Sequence, residues 1–158
     1  MITVNIAELL KDLENLNKDV VRRLEQMVRG FTYEFAMIAV EKTPFGDPDE
    51  YFDLYKKREA SLGLEPIAGF AQGSWQVPVD GMLDMQETYS GSTALGAIRT
   101  HMMNYKLGEM VILGNAGPYI GALENNYSPQ TNGEGIIKPT IDQMLSSYKI
   151  DLIREYQK

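Results

Sequence analysis

Large apolar residues near the start of the chain recur at every third or fourth position. Their mean spacing of about 3.6 positions is the period of a straight α-helix, so the pattern predicts one long helix with a single apolar face. We expect Pro44 to end this helix, because the residue before a proline is disfavoured in the α-helical region. We interpret the face as the main core element of the subunit, and packing of part of it against a neighbouring subunit is the alternative. Its residues are Leu9, Leu13, Leu16, Val20, Leu24, Met27, Phe31, Phe35 and Ile38.

The same helical spacing returns near the end of the chain. Pro139 suits the first turn of a helix, where the N–H group that proline lacks would have no helical partner. The apolar residues that follow it predict a second amphipathic helix. They are Ile141, Leu145, Tyr148, Leu152 and Tyr156.

Three shorter elements are predicted between the long helices. Residues 74–77 alternate in polarity, which predicts a strand with Trp75 as a core anchor. Residues 93–104 predict a helix, and residues 109–113 predict a second strand. The order of elements indicates an α+β fold, in which long N-terminal and C-terminal helices pack on a small antiparallel sheet. A length of 158 residues predicts a single domain, 1–158.

An extended loop, residues 45–71, is inserted after the first helix. It combines turn-forming and acidic residues with more large apolar side chains than a solvated linker carries. We interpret it as an arm that orders against a partner, and packing over its own sheet is the alternative. The candidate contact residues in this arm are Tyr51, Phe52, Tyr55 and Phe70.

Composition narrows the possible chemistry. The chain has no cysteine and a single histidine, His101, so it can supply neither a thiolate zinc site nor a histidine-rich metal site by itself. A net charge of −7 without a basic stripe argues against binding to nucleic acid. The sequence shows neither a signal peptide nor a membrane span, so we expect a protein made in the cytoplasm.

Acid pairs such as Asp80 and Asp84 leave one enzymatic alternative, a small hydrolase or nuclease. A chain with 22 acidic residues produces such pairs by chance, and no other catalytic motif is present. We therefore expect that the protein is not an enzyme and needs no cofactor or metal.

A short motif in residues 111–127 carries a family resemblance. Tyr119 is followed five positions later by Glu124, with Asn126 two positions further on. This resembles the Tyr-Ala-x-x-x-Glu-x-Gly signature of the head–tail joining proteins of tailed bacteriophages, also called neck or tail-completion proteins. Glu124 lies among apolar residues, so we expect its carboxylate to face a backbone N–H group or the surface.

Two further pieces of the chain follow the order found in that family. Thr43-Pro44 closes the first helix with Gly73-Ser74-Trp75 downstream, and Lys138-Pro139-Thr140-Ile141 opens the last helix. The resemblance implies structural roles for the motif residues. These residues are Pro44, Trp75, Tyr119, Glu124 and Pro139.

The resemblance implies a structural virion protein. Such a protein forms a ring of six or twelve copies, contacts the portal or connector and the tail proteins, and lets DNA pass without sequence-specific binding. We expect the stretch from residue 71 to residue 91, which lacks Lys and Arg, to face the lumen of the ring. The candidate lumen residues are Asp80, Asp84 and Glu87.

Overall fold

The computed structural model describes residues 6–45, 69–78, 82–83, 90–117, 120–125, 131 and 133–156. Two long helices, three shorter helices and two very short strands occur in these parts of the chain, which confirms the α+β class. In chain order they are α1 (Ile6–Lys42), α2 (Phe70–Gly73), β1 (Trp75–Gln76), α3 (Gly91–Met103), β2 (Gly114–Asn115), α4 (Ile120–Glu124) and α5 (Ile137–Tyr156).

The two strands form an antiparallel pair. Trp75 lies opposite Asn115, and Gln76 lies opposite Gly114. The first predicted strand was too long, and the second was predicted at the wrong residues. β1 starts after Ser74, whose N–H group still donates to the Phe70 carbonyl at 3.0 Å and so belongs to the end of α2. Residues 109–113 are not a strand, because a two-residue β1 offers partners only to Gly114 and Asn115.

The hydrophobic core lies where α3 contacts α1, α2 and β1. The approach of α3 to α1 is close: a Cβ atom added at Gly91 would lie 2.5 Å from Val40 Cγ1. Glycine is therefore required at the start of α3 for this packing. The cluster of buried core residues comprises Ala36, Ala39, Val40, Ala71, Trp75, Ala94, Ile98, Met102, Tyr105, Leu123 and Ile136.

The face of α1 that enters this core is not the predicted one. Thr32, Ala36, Ala39 and Val40 are buried, whereas the large residues from Leu13 to Phe31 are exposed. Only at its end does the predicted apolar face become buried, at Ile38. The prediction of one continuous core face was therefore wrong for most of α1, because small residues allow the closest approach of α3 and so line the packed face.

The helix α5 shows the same offset. Thr140 and Met144 are buried, whereas Ile141, Leu145 and Tyr148 of the predicted apolar face are exposed. Packing of α5 against α1 includes a tilted contact between the Tyr148 and Phe31 rings, with centroids 5.7 Å apart. The Tyr148 hydroxyl also donates to Glu34 Oε2 at 3.3 Å.

Candidate functional site

The residues of the first motif piece join the end of α1 to the sheet. Trp75 Nε1 donates to the Thr43 hydroxyl at 2.8 Å, and that hydroxyl donates to the Ala39 carbonyl at 2.6 Å. Gln72 Nε2 donates to the Thr43 carbonyl at 2.8 Å. Trp75 is only 3% exposed, as expected of a core anchor. Pro44 follows directly and prevents the helix from continuing. The end of α1 is therefore fixed by this proline and by these three hydrogen bonds of Thr43.

The segment that follows β2 is held by Asn115. Its side-chain amide donates to the Ala71 carbonyl at 2.7 Å, and its Oδ1 accepts from the Gly117 N–H at 2.8 Å. The Ala116 N–H donates to the Ser74 carbonyl at 3.2 Å. A side chain that bonds the backbone two residues on produces a tight turn. The chain therefore turns at residues 115–117, directly after the pairing of β2 with β1.

Glu124 connects α4 to the start of α5. Its carboxylate accepts the N–H of Ile136 at 2.9 Å and the N–H of Ile137 at 3.2 Å. The first amides of a helix have no partner within the helix, and a carboxylate there also interacts favourably with the helix dipole. Of the two placements expected for the Glu124 carboxylate, against a backbone N–H group or at the surface, the structure shows the first.

A glycine makes this arrangement of Glu124 possible. Gly135 has a φ of 72°, in the region that favours glycine. A Cβ atom there would lie 2.8 Å from the Glu124 carbonyl oxygen and 3.0 Å from its carboxylate. Pro139 lies in the first turn of α5 as expected. Residues Glu124, Gly135 and Pro139 thus fix how the last helix begins.

The structure places only some of the other predicted site residues. Phe70 begins α2 and is partly exposed. The residues Tyr51, Phe52, Tyr55, Asp80, Asp84, Glu87 and Tyr119 lie outside the described parts of the chain. The contact arm and the lumen assignment therefore stay predictions.

Two contacts nevertheless constrain where those segments start and end. The Gly69 N–H donates to the Phe45 carbonyl at 2.6 Å, which holds together the two ends of residues 46–68. Leu83 lies against β2, since a Cβ atom added at Gly114 would be 2.7 Å from Leu83 Cδ2. The acidic stretch that follows β1 therefore returns to the sheet at Leu83.

The single histidine of the chain lines a cavity. A cavity of about 270 Å³ is lined by His101 and Glu109 together with Val77, Met102, Asn104, Tyr105, Met110 and Val111. Within the described ranges no three His, Asp or Glu side chains are grouped so that they could hold a metal ion. This cavity brings one imidazole and one carboxylate to the same opening, and the Glu109 carboxylate already accepts from the Lys106 N–H at 2.7 Å.

Sequence reasoning missed how much of the apolar face stays exposed. Leu16 is 60% exposed, and its neighbours along the face are similar. We call the exposed set on α1 and α5 the apolar band. Its residues are Leu13, Leu16, Val20, Leu24, Met27, Phe31, Ile141, Leu145 and Tyr148. The sequence pattern of α1 did allow for this exposure, because one of its two interpretations was that part of the apolar face packs against a neighbouring subunit.

Charged residues beside the band pair with one another along α1. Lys18 contacts Glu14, and Asp19 contacts both Arg22 and Arg23. The hydrogen bond from Arg22, with the charge of Arg23, lowers the pKa of Asp19. On α5, the hydrogen bond to Asp142 raises the pKa of Lys138. Apart from Asp19, whose side chain is 37% exposed, these side chains are largely in solvent, so the pairs contribute little to stability.

Comparison with protein-family models, curated proteins and solved structures gives no match to this chain. None of the described helices has an apolar stretch long enough to cross a membrane.

Proposed function

We propose that this chain is a structural subunit of the neck of a tailed bacteriophage. In this proposal it is made in the host cytoplasm and becomes part of the virion. Six or twelve copies form a ring between the portal or connector and the tail. The ring keeps the passage for DNA continuous, has no enzymatic activity and binds no cofactor.

The observation that carries the proposal is what the described motif residues do. Trp75 ties the sheet to the end of α1, and Glu124 caps the start of α5. Both are positions where a change of residue would alter how elements join, and neither side chain lines the cavity beside His101. Because the residues that carry the resemblance join elements of the fold, the resemblance concerns the fold and its assembly rather than a catalytic site.

The exposed apolar band gives independent support for assembly. Contiguous apolar surface of this kind is uncommon on monomers and marks sites of interaction. A neck subunit must contact other copies and at least one further virion protein, so a large apolar surface fits this role.

The proposal is tested in the phage whose genome encodes the chain. A stop codon replaces the codon of the exposed residue Gln26, and the phage is grown in a host whose suppressor inserts glutamine and in a host that does not suppress the stop. Without suppression we expect DNA-filled heads and separate tails that do not join, and virions from the suppressing host contain the chain. Infectious tailed particles that assemble without the chain would overturn the proposal.

A further inference from the structure

The exposed apolar residues of α1 and α5 form one connected surface. Along each helix they are separated by three or four positions, which places neighbours on the same face. The contact between Phe31 and Tyr148 joins the two helices. The apolar band therefore runs without interruption from Leu13 on α1 to Ile141 on α5.

Residues 46–68 do not account for the far end of this band. Residues 46–68 are 23 residues long, and their ends are held together at Phe45 and Gly69. A loop of that length, extended out and back, reaches at most about 40 Å. Leu13 lies 29 residues before the end of α1, which corresponds to about 44 Å of helix. The region around Leu13 is therefore beyond the reach of this segment.

The charge of α1 favours contact with an identical chain. Residues 6–30 carry five acidic side chains (Glu8, Asp12, Glu14, Asp19 and Glu25) and five basic ones (Lys11, Lys18, Arg22, Arg23 and Arg29). Their net charge is zero, so the rest of the chain carries the whole net charge of −7. Two copies repel each other wherever their acidic parts meet, and this repulsion is absent where residues 6–30 of one copy meet residues 6–30 of another.

The spacing of the apolar face gives a second reason. The nine apolar positions from Leu9 to Ile38 repeat every 11 residues: Leu9, Val20 and Phe31 correspond, as do Leu13, Leu24 and Phe35, and Leu16, Met27 and Ile38. Two helices whose apolar positions repeat at the same interval stay in contact along their length. An 11-residue repeat lies close to the period of a straight helix, so such a pair supercoils only weakly and in the right-handed sense. A second copy of α1 has the same repeat, because its sequence is the same.

The size of the band is sufficient for a stable contact. The six band residues on α1, each roughly half exposed, present on the order of 500 Å² of apolar surface, which is about the apolar share of the ~800 Å² that each partner contributes to a standard interface. We propose that the band on α1 is covered by α1 of a second copy of this chain. The inference goes beyond the proposed function, because contact between the same face of two copies pairs them two by two, whereas a ring closes through different faces of neighbouring copies.

The test compares substitutions at neighbouring positions of α1. Leu16→Glu and Met27→Glu each place a carboxylate in the band, whereas Asn15→Glu and Gln26→Glu add the same charge at exposed polar positions one residue away. Self-association is measured by sedimentation velocity over a range of concentrations. We expect the wild type to associate, the band variants to associate at least about 30-fold more weakly, and the controls to stay within about 3-fold of wild type.

Circular dichroism at low concentration verifies that the subunits stay folded, which we expect because both band residues are exposed. Two variants at separate turns keep the test decisive if one of them disturbs the helix locally. Wild-type protein that stays monomeric overturns the inference, as does association that neither band variant weakens. A wild type that binds a tail or portal protein through the band without self-associating also overturns it.

These outcomes are separate from those for the proposed function. Association through the band in a chain that is absent from virions would support this inference and reject the neck assignment. If heads and tails stay unjoined without the chain, and the band variants associate as strongly as wild type, the neck assignment is supported and this inference is rejected.

Discussion

The two ends of α1 differ in a way that hydrophobicity does not explain. Near its C-terminal end Ala39 is fully buried, whereas Leu16 in its N-terminal part is 60% exposed. The buried part carries small residues that allow α3 to approach, and the exposed part carries leucines. The apolar pattern of α1 therefore does not by itself show which of its residues are buried within the subunit.

Trp75→Ala should have the largest effect on the packed end. It removes a buried ring and the partner of the Thr43 hydroxyl, so we expect a loss of about 3–5 kcal/mol in the free energy of unfolding. Leu16→Ala, also a truncation of a large apolar residue, should change the unfolding of the dilute monomer by less than about 0.5 kcal/mol. Urea denaturation measures both, and similar losses would show that the two ends do not differ.

Gly91→Ala should have the next largest effect. Its new methyl group would meet Val40, and overpacking of this kind costs about 1–3 kcal/mol. The double variant with Val40→Ala removes the opposing side chain and should recover part of that loss. Thermal unfolding of the two single variants and the double variant gives the coupling free energy between Gly91 and Val40. If the losses of the single variants simply add in the double variant, the helices do not touch at this point.

Glu124→Ala should destabilise the start of α5 by about 1–2 kcal/mol, because the amides of Ile136 and Ile137 lose their acceptor. Glu134→Ala is the control, since this exposed carboxylate lies in the same connection. Urea denaturation again provides the measurement. An equal loss in both variants would indicate a general effect of charge rather than a cap.

The smallest effect concerns the ion pairs beside the exposed band. Arg22 and Arg23 lower the pKa of Asp19 below its ordinary value of 3.8. The pairs therefore support the helix above that value, and the support is lost as the pH falls through the lowered pKa. We expect Asp19→Asn to reduce helical circular dichroism slightly at neutral pH and to match wild type in strong acid. A difference that persists in strong acid would have another cause.

Local chemistry made much of the fold predictable. Pro44 marked the end of α1, Pro139 marked the start of α5, and the burial of Trp75 followed from a single large aromatic residue in an alternating stretch. The cap by Glu124 was foreseeable because a carboxylate among apolar residues requires donors. In these cases the deciding interaction is close in sequence or involves one dominant side chain.

Other features depended on information that no local pattern contains. The burial of Ala36 and Ala39 depends on how closely α3 approaches, which Gly91 sets from a distant part of the chain. Residues 109–113 have the composition of a strand, yet strand pairing requires a partner, and β1 provides only two positions. The exposure of Leu16 and Met27 similarly reflects the absence of a packing partner within the described residues.

The central claim is that the N-terminal part of α1 is stabilised by another copy, whereas its C-terminal end is stabilised by its own subunit. Hydrogen–deuterium exchange at low and high protein concentration tests this directly. Amides of residues 13–27 should exchange rapidly in dilute protein, because a helix without packing is marginal, and should become protected as concentration rises. Amides of residues 36–42 should be equally protected at both concentrations. Protection of residues 13–27 that does not change with concentration would contradict the account.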